Sequence, residues 1–170
     1  MTMGTSSNNS VNTEIGELDL IIDRIFNAPR ELVWKAVTEP EHVSRWWAPY
    51  EYTIPVCKID LRPGGLWHYC MRSAEGEEHW VRSDYREIVK PERLVYTSLF
   101  SDADAVPNDV IPEQLNTMKL FEQEDGKTKM IVQVHFDKAE DLKFTVEAGM
   151  AEGMTNAFLK LDLLLAEAQQ

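Results

Sequence analysis

Four histidines, two cysteines and a surplus of carboxylates are the groups in this chain that could carry metal or acid–base chemistry. Their spacing argues against it. His42, His68, His79 and His135 form none of the short repeats that set two metal ligands on one helix face, and no Cys-x-x-Cys occurs. His68 and His79 fall on successive strands and could approach each other. A carboxylate beside them would complete a metal site, but two ordinary strand histidines are the simpler reading. No nucleophile elbow, phosphate loop or dinucleotide fingerprint is present. General acid–base work needs a buried carboxylate with a raised pKa. Glu87 and Glu147 come nearest, and both read better as solvated or capping charges. No catalytic residue, metal or cofactor is therefore expected. Cys57 and Cys70 would face each other across a hairpin if a tight turn were centred on Pro63-Gly64. In a reducing compartment they read as small packed residues.

Apolar recognition is better supported. By strand parity Ile54, Val56, Trp67, Tyr69 and Met71 share one face. Tyr85 and Tyr96 come from the next hairpin, and Phe121, Met130, Val132 and Val134 from the last. Met150, Met154 and Phe158 come from the final helix. Aromatic rings and methionines around a few hydroxyls suit a pocket for a planar apolar molecule. The binding set expected is Val56, Trp67, Tyr69, Met71, Tyr85, Tyr96, Met130, Val132, Met150, Met154 and Phe158. Trp46-Trp47, followed by Pro49-Tyr50, is a dense aromatic patch that plugs one end of the sheet or forms a pocket mouth.

These residues need elements to hold them. Thr145 to Ala168 reads as one long helix, with Val146, Met150, Met154, Ala157, Phe158, Leu161, Leu164, Leu165 and Ala168 on one side. Gly149 and Gly153 lie within it, each costing about 1 kcal/mol against alanine, a cost tolerable if the helix walls a cavity. Leu159 and Leu163 fall on its other side and suggest a weak self-association seam, so a monomer or weak homodimer is expected. Leu18 to Phe26 reads as a strand. Two short helices follow, separated by Pro40, which would break a longer one. From Tyr52 the period changes to two, and strands run to Phe136 with turns at 61–65, 73–77, 90–92 and 125–126. Ser101 to Pro112 is an acidic surface loop. Helices segregated from an antiparallel meander give an α+β domain, with the long helix as the cover.

Of 170 residues, 44% are hydrophobic and 27% charged, enough for one domain with a full core. Net charge is −12, which repels nucleic acid and anionic membrane surfaces. No apolar run is long enough to span a bilayer. Residues 1–16 are rich in Thr, Ser and Asn and read as a disordered tail of a cytoplasmic protein, with residues 17–170 as the single domain.

Several stretches resemble a known family. They are Phe26-Asn27-Ala28-Pro29-Arg30-Glu31-Leu32-Val33-Trp34-Lys35-Ala36, then Glu41-His42-Val43-Ser44-Arg45-Trp46-Trp47-Ala48-Pro49. Next come Asp60-Leu61-Arg62-Pro63-Gly64-Gly65, and Tyr85-Arg86-Glu87-Ile88-Val89-Lys90-Pro91-Glu92-Arg93-Leu94-Val95. The last is Gly153-Met154 with Phe158 and Leu161. In this order they resemble the START-like (SRPBCC) superfamily, in the bacterial branch similar to the C-terminal domain of the activator of Hsp90 ATPase. Met154 stands where that family usually has tryptophan, so a cavity there should differ in shape.

The resemblance implies a helix-grip fold, a curved antiparallel sheet around a long C-terminal helix with two short helices after the first strand. It also implies a cavity for small hydrophobic ligands of aromatic, lipid-like or polyketide-like kind. The alternative it implies is a co-chaperone-like domain with an Hsp90-type chaperone as partner and a role in stress response. An enzyme of cyclase or hydrolase type is a third reading, and it would need an ionisable group facing the cavity.

Overall fold

The computed structural model describes residues 12–49, 51–108 and 112–170. Eight strands form one antiparallel sheet in the order β1-β2-β8-β7-β6-β5-β4-β3. They are β1 (Asn12–Ile15), β2 (Asp19–Phe26), β3 (Tyr52–Ile59), β4 (Leu66–Ser73), β5 (Glu78–Val89), β6 (Arg93–Ser101), β7 (Gln114–Glu122) and β8 (Thr128–His135). The sheet is curled and unclosed, as the helix-grip fold requires. Helices α1 (Arg30–Thr38) and α2 (Pro40–Trp46) connect β2 to β3, and α3 (Ala139–Glu147) and α4 (Met150–Ala168) follow β8. β1 lies in the segment expected to be a tail and pairs with β2 (Asn12↔Asp23 to Ile15↔Leu20). Residues 1–11 lie outside the described residues.

Alternation decides which way each strand faces. Leu20, Ile22, Arg24 and Phe26 of β2 are all buried, and so are Met130, Val132 and Val134 of β8. The one charge in this set, Arg24, is 4% exposed and pairs with Asp162 of α4, tying the helix to the sheet. Its guanidinium also lies over the Phe26 ring, 5.4 Å from the centroid. The packed side of α4 is Met154, Ala157, Phe158, Leu161, Leu164 and Leu165.

Two expectations about the backbone change. The apolar stripe from Val146 onward is not one helix. Gly149 takes φ +96°, ends α3 and starts α4, and its carbonyl accepts the Gly153 N–H at 3.0 Å. A helical period survives the break because both helices bury the same side, so periodicity alone cannot detect it. Only Gly153 lies inside the helix.

The second change is in the β3–β4 hairpin. Its register is Val56↔Cys70 and Cys57↔Tyr69, one residue from that of a turn centred on Pro63-Gly64. The loop is a wider one, closed by the Asp60 N–H on the Leu66 carbonyl at 2.9 Å. Gly65 tucks under Asp60, where a Cβ would sit 2.0 Å from its carbonyl oxygen. Cys57 and Cys70 therefore point to opposite faces, and both are free thiols. A further irregularity between Thr53 and Val56 returns Ile54 to the inner side, where it is buried.

The two glycines at the start of α4 should respond oppositely to alanine. Gly149→Ala forces a left-handed backbone on a Cβ-bearing residue and should cost about 1–2 kcal/mol. At Gly153 a Cβ meets only Pro49 Cγ at 3.5 Å, so Gly153→Ala should be neutral or add up to about 1 kcal/mol. Urea unfolding of both variants checks the contrast.

Candidate functional site

One end of the concavity is filled by rings. Trp46, 1% exposed, donates its indole N–H to the Ala36 carbonyl at 2.8 Å. Its ring lies 5.2 Å from Trp47 and 6.3 Å from Phe158, which meets Phe26 edge-on at 5.5 Å. Trp47 continues the series to Trp67 at 4.9 Å, and Trp67 stacks on Tyr69 at 4.9 Å. Tyr96 meets Trp67 at 5.6 Å and Tyr85 at 6.2 Å. The Trp47 indole N–H donates to the Tyr69 hydroxyl at 2.8 Å, while Trp67 Nε1 and the Tyr85 hydroxyl are buried with no partner among the described residues.

Beyond Tyr69 and Tyr96 the rings stop and a cavity of about 350 Å³ opens. Its floor is the inner face of β4–β8, with Met71, Val81, Phe100, Val132 and Val134. Its roof is the end of α3 and the start of α4, with Thr145, Ala148, Met150, Gly153 and Met154. Trp47 and Pro49 form the side wall. That wall is pinned from α4, because Lys160 Nζ donates to the Ala48 carbonyl at 2.7 Å and the Pro49 carbonyl at 3.0 Å. Burial pulls the Lys160 ammonium below its ordinary pKa.

Of the expected binding set, Tyr69, Met71, Tyr96, Val132, Met150 and Met154 line this cavity. Trp67, Tyr85, Met130 and Phe158 face the same interior but lie at its filled end and do not line it. Parity assigns a side chain to a face, and it says nothing about position along the strand. Val56 is a correction of another kind. It pairs with Cys70, on the opposite face from Tyr69, because of the register change in the hairpin. Phe121 is likewise on the outside, 43% exposed.

The sequence reading did not pick out Ser98, Gln114 and Asn116, which also line the cavity. They stand on strands whose inward polar residues look like solvent-facing ones in a one-dimensional pattern. Tyr96↔Asn116 and Ser98↔Gln114 are register pairs, so the four form successive same-face rungs across β6 and β7, with Thr97↔Leu115 between them.

The groups considered for catalysis lie elsewhere. Glu87 is exposed and pairs with Arg93 at 2.8 Å, and Glu147 is exposed on α3. His68 and His79 do not meet, since they pair with Arg82 and Met71 on opposite faces. His68 stacks on Trp80 at 4.9 Å and reaches the Asp102 carbonyl at 3.1 Å. Arg82 donates to the Ala105 carbonyl at 3.0 Å. The described start of the acidic loop thus packs on the outer face of β4 and β5, while residues 109–111 lie outside the described residues, as does Tyr50. Leu159 and Leu163 are 39% and 66% exposed on the outer side of α4.

A family model described as "Activator of Hsp90 ATPase homolog 1-like protein" matches residues 27–166. The chain belongs to this family. Solved structures of similar chains share the architecture. One, from Nitrosomonas europaea, is 29% identical, with TM-score 0.81 over 92% of this chain and 99% of that one. Another, from Mycobacterium smegmatis, is 28% identical, with TM-score 0.81 over 92% and 96%. A solution structure of a protein from Arthrobacter aurescens is 28% identical, with TM-score 0.82 over 93% and 91%. No curated protein matches the chain in sequence. No helix among the described residues is long and apolar enough to cross a membrane.

The two cysteines of the β3–β4 hairpin have a testable chemistry. Burial pushes the Cys57 thiol up to about 11, and burial also raises Cys70. At pH 8 about 0.1% of Cys57 would be thiolate, the reactive form. A disulfide reagent at pH 8 should label both cysteines slowly in the folded protein and at once in urea. Rapid labelling of the folded protein would show that this hairpin opens.

Proposed function

We propose that this protein binds a small, largely apolar aromatic molecule in the cavity between its sheet and α4, and that it does so in the cytoplasm. The observation that carries the reading is the unfilled end of the concavity, walled by Trp47, Tyr69, Tyr96, Met71, Met150 and Met154. Methionines accommodate irregular guests, and tyrosines and tryptophans offer flat faces to a planar one. A guest burying roughly 300 Å² of apolar area gains about 7 kcal/mol gross. Ordering costs take back several kcal/mol. Micromolar affinity therefore needs no ion pair. The family belongs to a fold that typically binds ligands, which supports the same reading.

The family's description supports a second reading, a domain contacting an Hsp90-type chaperone. Co-purification with such a chaperone, or a changed ATPase rate, would favour it. A cyclase- or hydrolase-type reaction draws no support from the cavity, whose lining among the described residues contains no histidine or carboxylate.

Thermal unfolding in the presence of flavonoid, polyketide-like and lipid compounds tests the first reading. A ligand at one hundred times its Kd stabilises by about 2.7 kcal/mol, which for a chain of this size raises Tm by roughly 5–10 °C. Met154→Trp should fill the space, raise stability by about 0.5–2 kcal/mol and abolish the ligand-induced shift. If no compound shifts Tm, and Met154→Trp is destabilising because the site has no room, the reading fails.

A further inference from the structure

The cavity is apolar on most sides, but its β6–β7 side carries hydrogen-bonding groups that no ion pair neutralises. Asn116, 5% exposed, donates from Nδ2 to the Tyr96 carbonyl at 3.4 Å and to Ser98 Oγ at 3.2 Å. A backbone carbonyl only accepts, so this bond fixes which way the amide is turned. Its nitrogen faces β6, and among the described residues no donor reaches its Oδ1. Ser98 Oγ is held in turn by Ser83 Oγ at 2.8 Å, and Ser83 is fully buried. A chain from Ser83 through Ser98 to Asn116 therefore anchors the amide from behind. Tyr96, 2% exposed, lines the cavity beside it, and its hydroxyl bonds to no described residue. Both groups stand on cavity-lining residues and are unmatched among the described residues, so a guest or water in the cavity can satisfy them.

The second observation concerns charge. Among the described residues, no Asp, Glu, Lys, Arg or His lines the cavity. A carboxylate guest would lose its hydration there and meet no cation, and a bare acceptor such as Asn116 Oδ1 would repel it. This holds although the fold offers an ammonium nearby, because Lys160 is occupied by the Ala48 and Pro49 carbonyls.

Building on the proposed binding function, we infer that the ligand is an uncharged planar molecule bearing both a hydrogen-bond donor, for Asn116 Oδ1, and an acceptor, for the Tyr96 hydroxyl. Amides, lactams and hydroxy-ketones belong to this class, and fatty acids and aromatic carboxylates do not. Tyr96 and Asn116 are the residues that set the specificity, and Ser98 and Ser83 position Asn116.

Three probes with one ring system separate the terms: 2-naphthamide, 2-naphthoate and naphthalene, titrated calorimetrically or by protein NMR at pH 7.5. The amide should bind about tenfold or more tighter than either of the others, since a site built to hydrogen-bond discriminates against guests lacking the group. Asn116→Leu should remove most of that advantage. Tyr96→Phe removes a single oxygen and keeps the ring, so it gives the same reading should Asn116→Leu disturb folding. Equal or tighter binding of 2-naphthoate, or an amide preference that survives both substitutions, overturns the inference and leaves the cavity reading standing. No saturable binding of any of the three removes the cavity reading, and the inference with it.

Discussion

The distance between α4 and the sheet is set by one column of aromatic rings. Phe158 projects from the helix onto Phe26 and Trp46, and Trp47 carries the column to Trp67 and Tyr69. Rings of this size keep the helix axis away from the strands wherever they intervene. Trp46 cannot retreat, because its indole N–H is bonded to the Ala36 carbonyl and the ring is sealed from solvent. The Arg24–Asp162 pair ties the middle of α4 to β2, and Lys160 ties it to the loop after α2. The helix is therefore a lever held near its middle, and the separation imposed by the rings persists along its length.

What happens at the free end of that lever follows from residue size. Toward its N-terminus α4 offers Gly153, Met150 and Met154, and α3 ends in Ala148 and Gly149. None of these reaches as far as the rings do. The sheet opposite offers three valines, Met71, Phe100, a serine, a glutamine and an asparagine, none of which closes the gap. Small and flexible side chains across a gap fixed elsewhere leave space, and the left-handed turn at Gly149 brings the α3 end over that space without filling it. The cavity is a consequence of unequal packing along one helix. Its uncharged, partly polar wall then limits which guests can use it.

Much of this architecture was legible in the sequence. Period-two stretches placed the strands, Pro40 separated the short helices, alternation put Tyr69, Tyr96 and Val132 on the inner side, and the helical stripe put Met154 there. Three things were not legible, each for a physical reason. The wider loop closed by Gly65 moved the β3–β4 register by one residue, which sends Val56 to the other face. Position along a strand has no periodic signature, so Trp67, Tyr85, Met130 and Phe158 could not be distinguished from the cavity residues. Inward polar groups such as Asn116 look like surface residues until their cross-strand partners are known.

The central claim, a concavity packed at one end and empty at the other, can be tested without knowing the ligand. Methionine methyl NMR under xenon pressure samples both ends in one spectrum, since Met71, Met150 and Met154 line the open end and Met118 and Met130 lie 2% and 0% exposed in the packed one. Xenon enters apolar voids without needing specific contacts. The account predicts saturable shifts of the Met71, Met150 and Met154 methyls, with those of Met118 and Met130 unchanged. Uniform small shifts at all five, or shifts largest at Met118 and Met130, would contradict it.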